Sequence, residues 1–199
     1  MRRQWRAILI GSVVLAASSV APAAENDGIV KGTVGVPADA GSPRNVVVYL
    51  DGTIGTPTPR TVRVDQKGEV FLPHVVAVPV GGSVEFTNTD PFLHNVFSTS
   101  TAKRFDLGMF GQGQSRTVTF DTAGVVEVRC NVHPKMQAYV VVRDNDYFAI
   151  PDEQGNFQIT GIPRGRYKLV AWHPTLKPVQ TWVNLDEARI QSVKLQLKN

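Results

Sequence analysis

Val125-Val126-Glu127-Val128-Arg129-Cys130-Asn131-Val132-His133-Pro134-Lys135-Met136 reads as a strand that runs into a tight loop. In its first half Val126, Val128 and Cys130 fall on one face and Val125, Glu127 and Arg129 on the other, which is the period of two of a half-buried β-strand. Cys130 therefore arrives on the core side. Pro134 turns the chain, and Ala138 to Arg143 reads as the returning strand.

Moving outward, the same signature recurs. Val84 and Phe86 alternate with Ser83, Glu85 and Thr87, and Val118 and Phe120 alternate with Thr117 and Thr119. Short runs of this kind between Gly, Pro, Asn and Asp, with almost no helical periodicity, predict an all-β chain of antiparallel character. Beyond Asp144 the pattern restarts. Asp152-Glu153-Gln154-Gly155 and Pro163-Arg164-Gly165 read as turns, Phe157 with Ile159 and Tyr167 with Leu169 and Ala171 as strands, and Val193, Leu195 and Leu197 as a last strand. A unit of about 55 residues buries too little surface to stand comfortably alone. It needs another sheet, for which Ile29 to Val36 and Asn45 to Leu50 are the candidates.

The chain has 199 residues, of which 42% are hydrophobic, enough for one large or two small domains with real cores. Its start is distinctive: Arg2, Arg3 and Arg6 precede an apolar run from Ala7 to Val20, and small residues follow at Ala21-Pro22-Ala23. A basic start, a short apolar run and a small-residue cleavage site describe a secretory signal peptide, here residues 1–24, with the Arg2-Arg3 pair compatible with twin-arginine export. An uncleaved membrane anchor is the competing reading; with cleavage, no stable membrane insertion is expected. Removal of that segment takes three arginines and no acids, so the formal charge falls from +4 to +1. No dense Lys/Arg stripe remains, and nucleic acid is not an expected partner, because neutralising phosphates requires clustered cations.

Cys130 is the only cysteine, so an intramolecular disulfide is impossible, and a lone thiol in an oxidising compartment stays exposed to chemistry unless something occupies it. A metal would. Cys130, His133 and Met136 place a thiolate, an imidazole and a thioether at intervals of three on one loop. Two His and one Cys with a weak Met suit copper cycling between Cu(I) and Cu(II). His94, after the Asn88-Thr89-Asp90-Pro91 turn and before the strand-like Asn95-Val96-Phe97, is the candidate for the second imidazole. Zinc is the rival metal but gains little from a thioether.

Phe71-Leu72-Pro73, Val80-Gly81, Asn88, His94-Asn95-Val96 and Cys130-x-x-His133-x-x-Met136 together resemble the cupredoxins, most of all plastocyanin and amicyanin, over residues 60–143. The whole chain is similar to periplasmic proteins described as methylamine utilisation or plastocyanin-like. The resemblance implies a Greek-key β-sandwich with copper at one end, His94, Cys130 and His133 as equatorial ligands and Met136 as the axial one. It further implies that Asn95, through its amide or its backbone, ties the His94 loop to the Cys130 loop, a loop-capping Asn without effect on copper being the alternative, that the His133 ring edge is the electron port, and that the protein is a periplasmic type 1 (blue) copper carrier of single electrons. Its partner would be a redox protein such as a c-type cytochrome or a dehydrogenase. Phe92, Leu93, Met109 and Phe110 are candidates for an apolar patch around the port or for ordinary core packing. His74 is a possible copper-proximal residue; His173 has no ligand-spaced partner.

The last third resembles a second family, the carboxypeptidase regulatory-like or transthyretin-like sandwiches, through Asp152-x-x-Gly155-x-Phe157-x-Ile159-x-x-Ile162-Pro163-x-Gly165-x-Tyr167-x-Leu169. In that family a strand pair precedes the motif, and Gly28 to Asp51 is similar to it. The implied organisation is a small, discontinuous sandwich of residues 28–55 and 145–199 interrupted by the copper domain; alternatively, the early strands join the copper domain. An enzyme is not expected, since no oxyanion-forming turn or orienting acid accompanies Cys130 and His133, and four histidines are too few for a further copper centre. A copper carrier or storage protein and a structural module with a vestigial site are the alternatives to electron transfer.

Overall fold

Residues 28–199 are described by a computed structural model; the expected signal peptide, residues 1–24, lies outside them. The alternating sequences fold as β-strands, and among the described residues the helical elements are two 3-10 turns at Ala38–Ala40 and Pro43–Asn45. Among the described residues no helix is long and apolar enough to cross a membrane.

Four sheets form two sandwiches. In the first, a five-stranded sheet runs β5 (Val75–Pro79), β11 (Gln137–Arg143), β10 (Gly124–Arg129), β7 (His94–Ser98), β8 (Phe105–Phe110). It faces a four-stranded sheet ordered β4 (Phe71–Leu72), β3 (Thr61–Gln66), β6 (Ser83–Asn88), β9 (Ser115–Thr119). Between them lies one core that includes Phe71, Phe86, Phe110, Phe120, Val126, Val128 and Met136. In the second sandwich, β13 (Asn156–Ile162), β1 (Gly28–Gly35) and β16 (Ile190–Gln196) form one sheet. β12 (Phe148–Ala149), β2 (Val47–Leu50), β14 (Arg166–Trp172) and β15 (Val179–Asn184) form the other. Val30, Leu50, Ile159, Ile162, Leu169 and Leu185 belong to its core.

The early strands pair with strands late in the sequence. β1 lies between β13 and β16, and β2 between β12 and β14, so the two early strands sit in opposite sheets and do not pair with each other. Gly32 is what lets β1 and β16 approach, because a Cβ there would stand 2.0 Å from the carbonyl oxygen of Val193. The ladders are not purely antiparallel: β1 with β16, β3 with β6 and β5 with β11 are parallel. Parallel neighbours need long crossovers, and these pairs are separated by intervening strands or whole sheets, which local turn patterns do not reveal.

The two sandwiches touch through a third apolar cluster of Val47, Val75, Ala77 and Val141, flanked by Tyr49, Tyr139, Phe148 and Trp172. β11 serves both sides. Val140 and Val142 enter the first core, while Val141 points the other way into this junction, as alternation along a strand requires. Where the chain passes between the sandwiches, Asp146 fastens the two crossing segments: its Oδ2 accepts the Thr58 backbone N–H at 2.9 Å and its Oδ1 lies 3.3 Å from the Arg60 guanidinium. Asn145, fully buried, donates to the carbonyls of Leu50 at 3.0 Å and Gly52 at 2.6 Å and accepts the Tyr147 N–H at 2.8 Å.

Candidate metal centre

β7 and β10 are antiparallel neighbours with Phe97 opposite Arg129, so the start of β7 and the end of β10 lie at the same end of the sheet. That register puts His94, the first residue of β7, beside the loop that begins at Cys130. Two backbone bonds close the loop on itself: the Met136 N–H donates to the His133 carbonyl at 2.9 Å and the Cys130 N–H to the Met136 carbonyl at 3.3 Å. A ring this tight returns His133 to the mouth of the strand and Met136 to the core.

His94 and His133 approach through Nδ1 to 3.1 Å, and the Cys130 Sγ lies 4.0 Å from the His94 Nδ1. All three donor atoms fall within 4.8 Å of one another, and among the described residues this is the one such group of His, Cys or acidic donors. One ion between them fits, since ordinary metal–nitrogen distances of about 2.0–2.1 Å and metal–sulfur distances of about 2.3 Å span these gaps. Nδ1 on both rings is therefore the atom turned toward a shared centre. His94 is fully buried and Cys130 is 3% exposed, whereas the His133 side chain keeps 23% of its surface. Met136 is fully buried in the core that also holds Cys130.

The rings are packed from one side by Phe92, whose centroid lies 5.1 Å from that of His94 and 5.8 Å from that of His133. Asn88 sets this turn: its Nδ2 donates to the carbonyls of Phe92 at 2.8 Å and Phe110 at 2.9 Å, and its Oδ1 accepts the Asp90 N–H at 2.9 Å. Of the four residues considered for an apolar patch, Phe110 is buried in the core, while Phe92, Leu93 and Met109 are exposed, as is Val132 on the loop itself.

Sequence reasoning missed Asp90, read there only as part of a turn. Its carboxylate is buried, and its Oδ2 accepts the His94 Nε2–H at 2.8 Å. The N–H groups of Gly68 and Glu69, at the tip of the β3–β4 hairpin, donate to the same carboxylate at 2.7 and 3.1 Å. Burial pushes the Asp90 carboxyl up, but these two amides together with the His94 ring outweigh it and hold the group below the usual carboxylate range. Gly68 (φ 66°) and Glu69 (φ 59°) both occupy the left-handed region, as the centre of a type I′ turn requires. Glycine does so freely; for Glu69 it costs about 1–2 kcal/mol. Its carboxylate stands 3.9 Å from the His133 Nε2.

Two further side chains singled out in the sequence stand outside the donor cluster. The Asn95 amide is engaged within the sheet: its Nδ2 donates to Asp106 on the neighbouring β8 at 2.7 Å, because Asp106 pairs with Phe97, two residues along β7 and on the same face as Asn95. His74 stays out of the donor cluster. Its Nδ1–H donates to the Gln137 carbonyl at 2.9 Å, and its ring packs edge-on against Tyr139 with centroids 5.5 Å apart. His173 is buried away from the cluster, accepting the Thr175 N–H on Nδ1 at 3.3 Å.

Residues 60–143 match the family model for copper binding proteins of the plastocyanin/azurin family. A search of curated proteins gives no match. Among solved structures, a novel purple cupredoxin from Nitrosopumilus maritimus is 25% identical with a TM-score of 0.38, and the alignment covers 41% of this chain and 98% of that one. A reduced amicyanin variant is 26% identical with a TM-score of 0.39, covering 46% of this chain and 97% of the other. A copper-containing nitrite reductase from Thermus scotoductus is 26% identical with a TM-score of 0.39, and there the alignment covers 55% of this chain but 28% of the enzyme. Copper is the metal on which the family model and the two-imidazole, one-thiolate donor set agree. Residues 60–143 are thus recognised, within a longer all-β chain, as a cupredoxin-type segment of the copper-binding plastocyanin/azurin kind.

Proposed function

We propose that this chain holds one copper ion through His94, Cys130, His133 and Met136 and carries single electrons between redox proteins. The observation that carries the reading is the 3.1 Å approach of the two Nδ1 atoms with the Cys130 sulfur beside them, at one end of the sandwich. Copper in such a site supplies a one-electron couple with little change of ligand geometry. The chain's own part is to fix the donors: β7 and β10 hold His94 and Cys130 in register, the doubly bonded loop holds His133, and the apolar core shuts out water.

His133 is the electron port in this reading, since its ring is the part-exposed one, and Phe92, Leu93, Met109 and Val132 offer a partner an apolar landing surface beside it. A c-type cytochrome or a dehydrogenase is the expected class of partner, and export to the periplasm the expected setting. The chain acts as a carrier and not as an enzyme. We further propose that residues 28–55 and 145–199 are one sandwich into which residues 60–143 are inserted; the pairing of β1 and β2 with late strands supports this.

Copper loading tests the function. The protein with Cu(II) should show an intense visible thiolate band, lost in Cys130→Ala and shifted in Met136→Ala, and a colourless copper-loaded protein would refute it. A copper carrier or storage protein, the other reading, would instead release its metal readily to a Cu(I) chelator between redox cycles.

A further inference from the structure

The β3–β4 hairpin tip and Asp90 lie outside the donor set, yet together they reach it. Asp90 takes three hydrogen bonds in a buried position: two backbone amides of the hairpin and the outer edge of the His94 ring. An anionic acceptor on Nε2 fixes the proton there, leaving the lone pair on Nδ1, the atom 3.1 Å from its counterpart on His133. A carboxylate behind a ligating imidazole orients the ring and makes it a stronger donor. The strained backbone at Glu69 has a consequence in the same place. A turn with both central residues left-handed aims two successive N–H groups at one point, and here that point is the Asp90 carboxylate.

We infer that Asp90, clamped by the amides of Gly68 and Glu69, is a positioning residue that locks the His94 ring and biases the metal site toward the cupric state. The inference rests on the copper reading proposed above and adds a part that it does not require. Placing a full negative charge behind one ligand favours the more highly charged ion, because the Coulomb term grows with the charge it faces and the largely buried carboxylate is only weakly screened by solvent. The Glu69 side chain has a lesser part: 58% exposed and 3.9 Å from His133, it is screened by solvent, so the hairpin acts chiefly through its backbone.

The test compares wild type, Asp90→Asn, Asp90→Glu and Glu69→Gly. Asp90→Asn should lower the affinity for Cu(II) relative to Cu(I) at least tenfold, which for a one-electron couple is a rise of about 59 mV or more in reduction potential. Asp90→Glu, which keeps the charge, should recover the ratio to within about threefold of wild type, and Glu69→Gly, which keeps both amides, should stay within about twofold. Nitrogen NMR of the copper-free wild type should find the His94 proton on Nε2. A ratio unchanged within twofold in Asp90→Asn would overturn the inference, as would the proton on Nδ1 in the wild type; the NMR arm decides even if Asp90→Asn does not fold. Wild type that fails to bind copper would count against the proposed function, while the tautomer would still decide the role of Asp90.

Discussion

Val141 is the residue through which the two sandwiches can be tested for mechanical unity. It is 1% exposed and sits in the junction with Val47, Val75 and Ala77, whereas its neighbours Val140 and Val142 face the copper-side core. Val141→Ala removes two buried carbons. At about 0.8 kcal/mol per carbon the transfer loss is roughly 1.6 kcal/mol. A residual cavity adds to that, since sheets on both sides limit collapse, giving about 2–3 kcal/mol in all. For a folded chain of this size the midpoint of thermal unfolding should fall by about 4–12 °C. The measurement is calorimetry beside visible absorption of the copper-loaded protein. Wild type should unfold in one transition that copper raises as a whole, and the variant should unfold earlier with an unchanged visible spectrum. A midpoint within about 1 °C of wild type, or two separate wild-type transitions of which copper moves one, would show that the junction does not couple the sandwiches.

Two further outcomes follow from buried polar groups. Asn145→Ala strands the buried Leu50 carbonyl and removes the Tyr147 bond, so chemical denaturation should report a loss of about 2–4 kcal/mol with the visible spectrum unaffected. Burial, and behind it the like charge of His74, depress the His173 pKa below its ordinary value of about 6.5, while the nearby Ala40 backbone partly opposes them. Because the folded state refuses a proton that the unfolded state accepts, stability should hold above about pH 6.5 and fall as the pH drops below it, by at most about 1.4 kcal/mol per unit. Denaturation midpoints at pH 7.5 and 5.5 should therefore differ more in wild type than in His173→Gln; an equal difference would refute this role for the imidazole.

The strands and the donor loop were legible because both are local signals. Alternation in Val125 to Cys130 gave the strand and the face of the thiol, and the spacing of three gave His133 and Met136 their place on one loop. His94 was reached through chemistry, as the imidazole missing from a recognisable set, and the β7–β10 register then explains its arrival. What escaped was non-local. Asp90 bonds a ring four residues on and two amides more than twenty residues back, and neither link leaves a mark on a turn sequence. Asn95 was assigned by family likeness, but its side-chain partner depends on which residue of β8 stands diagonally across on the same face, and that residue is Asp106. The parallel pairs were hidden for the same reason: alternation reports burial, not the direction of the adjacent strand.

The Asp146 fastening gives the chain an architecture of plug and socket. By gripping Thr58 and Arg60 it brings the two ends of a long stretch of chain to one spot, so that in the insertion proposed above the eighty-odd residues between them leave and rejoin the host at a single doorway. A short hairpin could bridge that doorway, and an unrelated sandwich with neighbouring termini could be spliced across it. In the insertion proposed above, the copper-side sandwich is thus a unit that could be exchanged at that one junction without cutting a strand of its host.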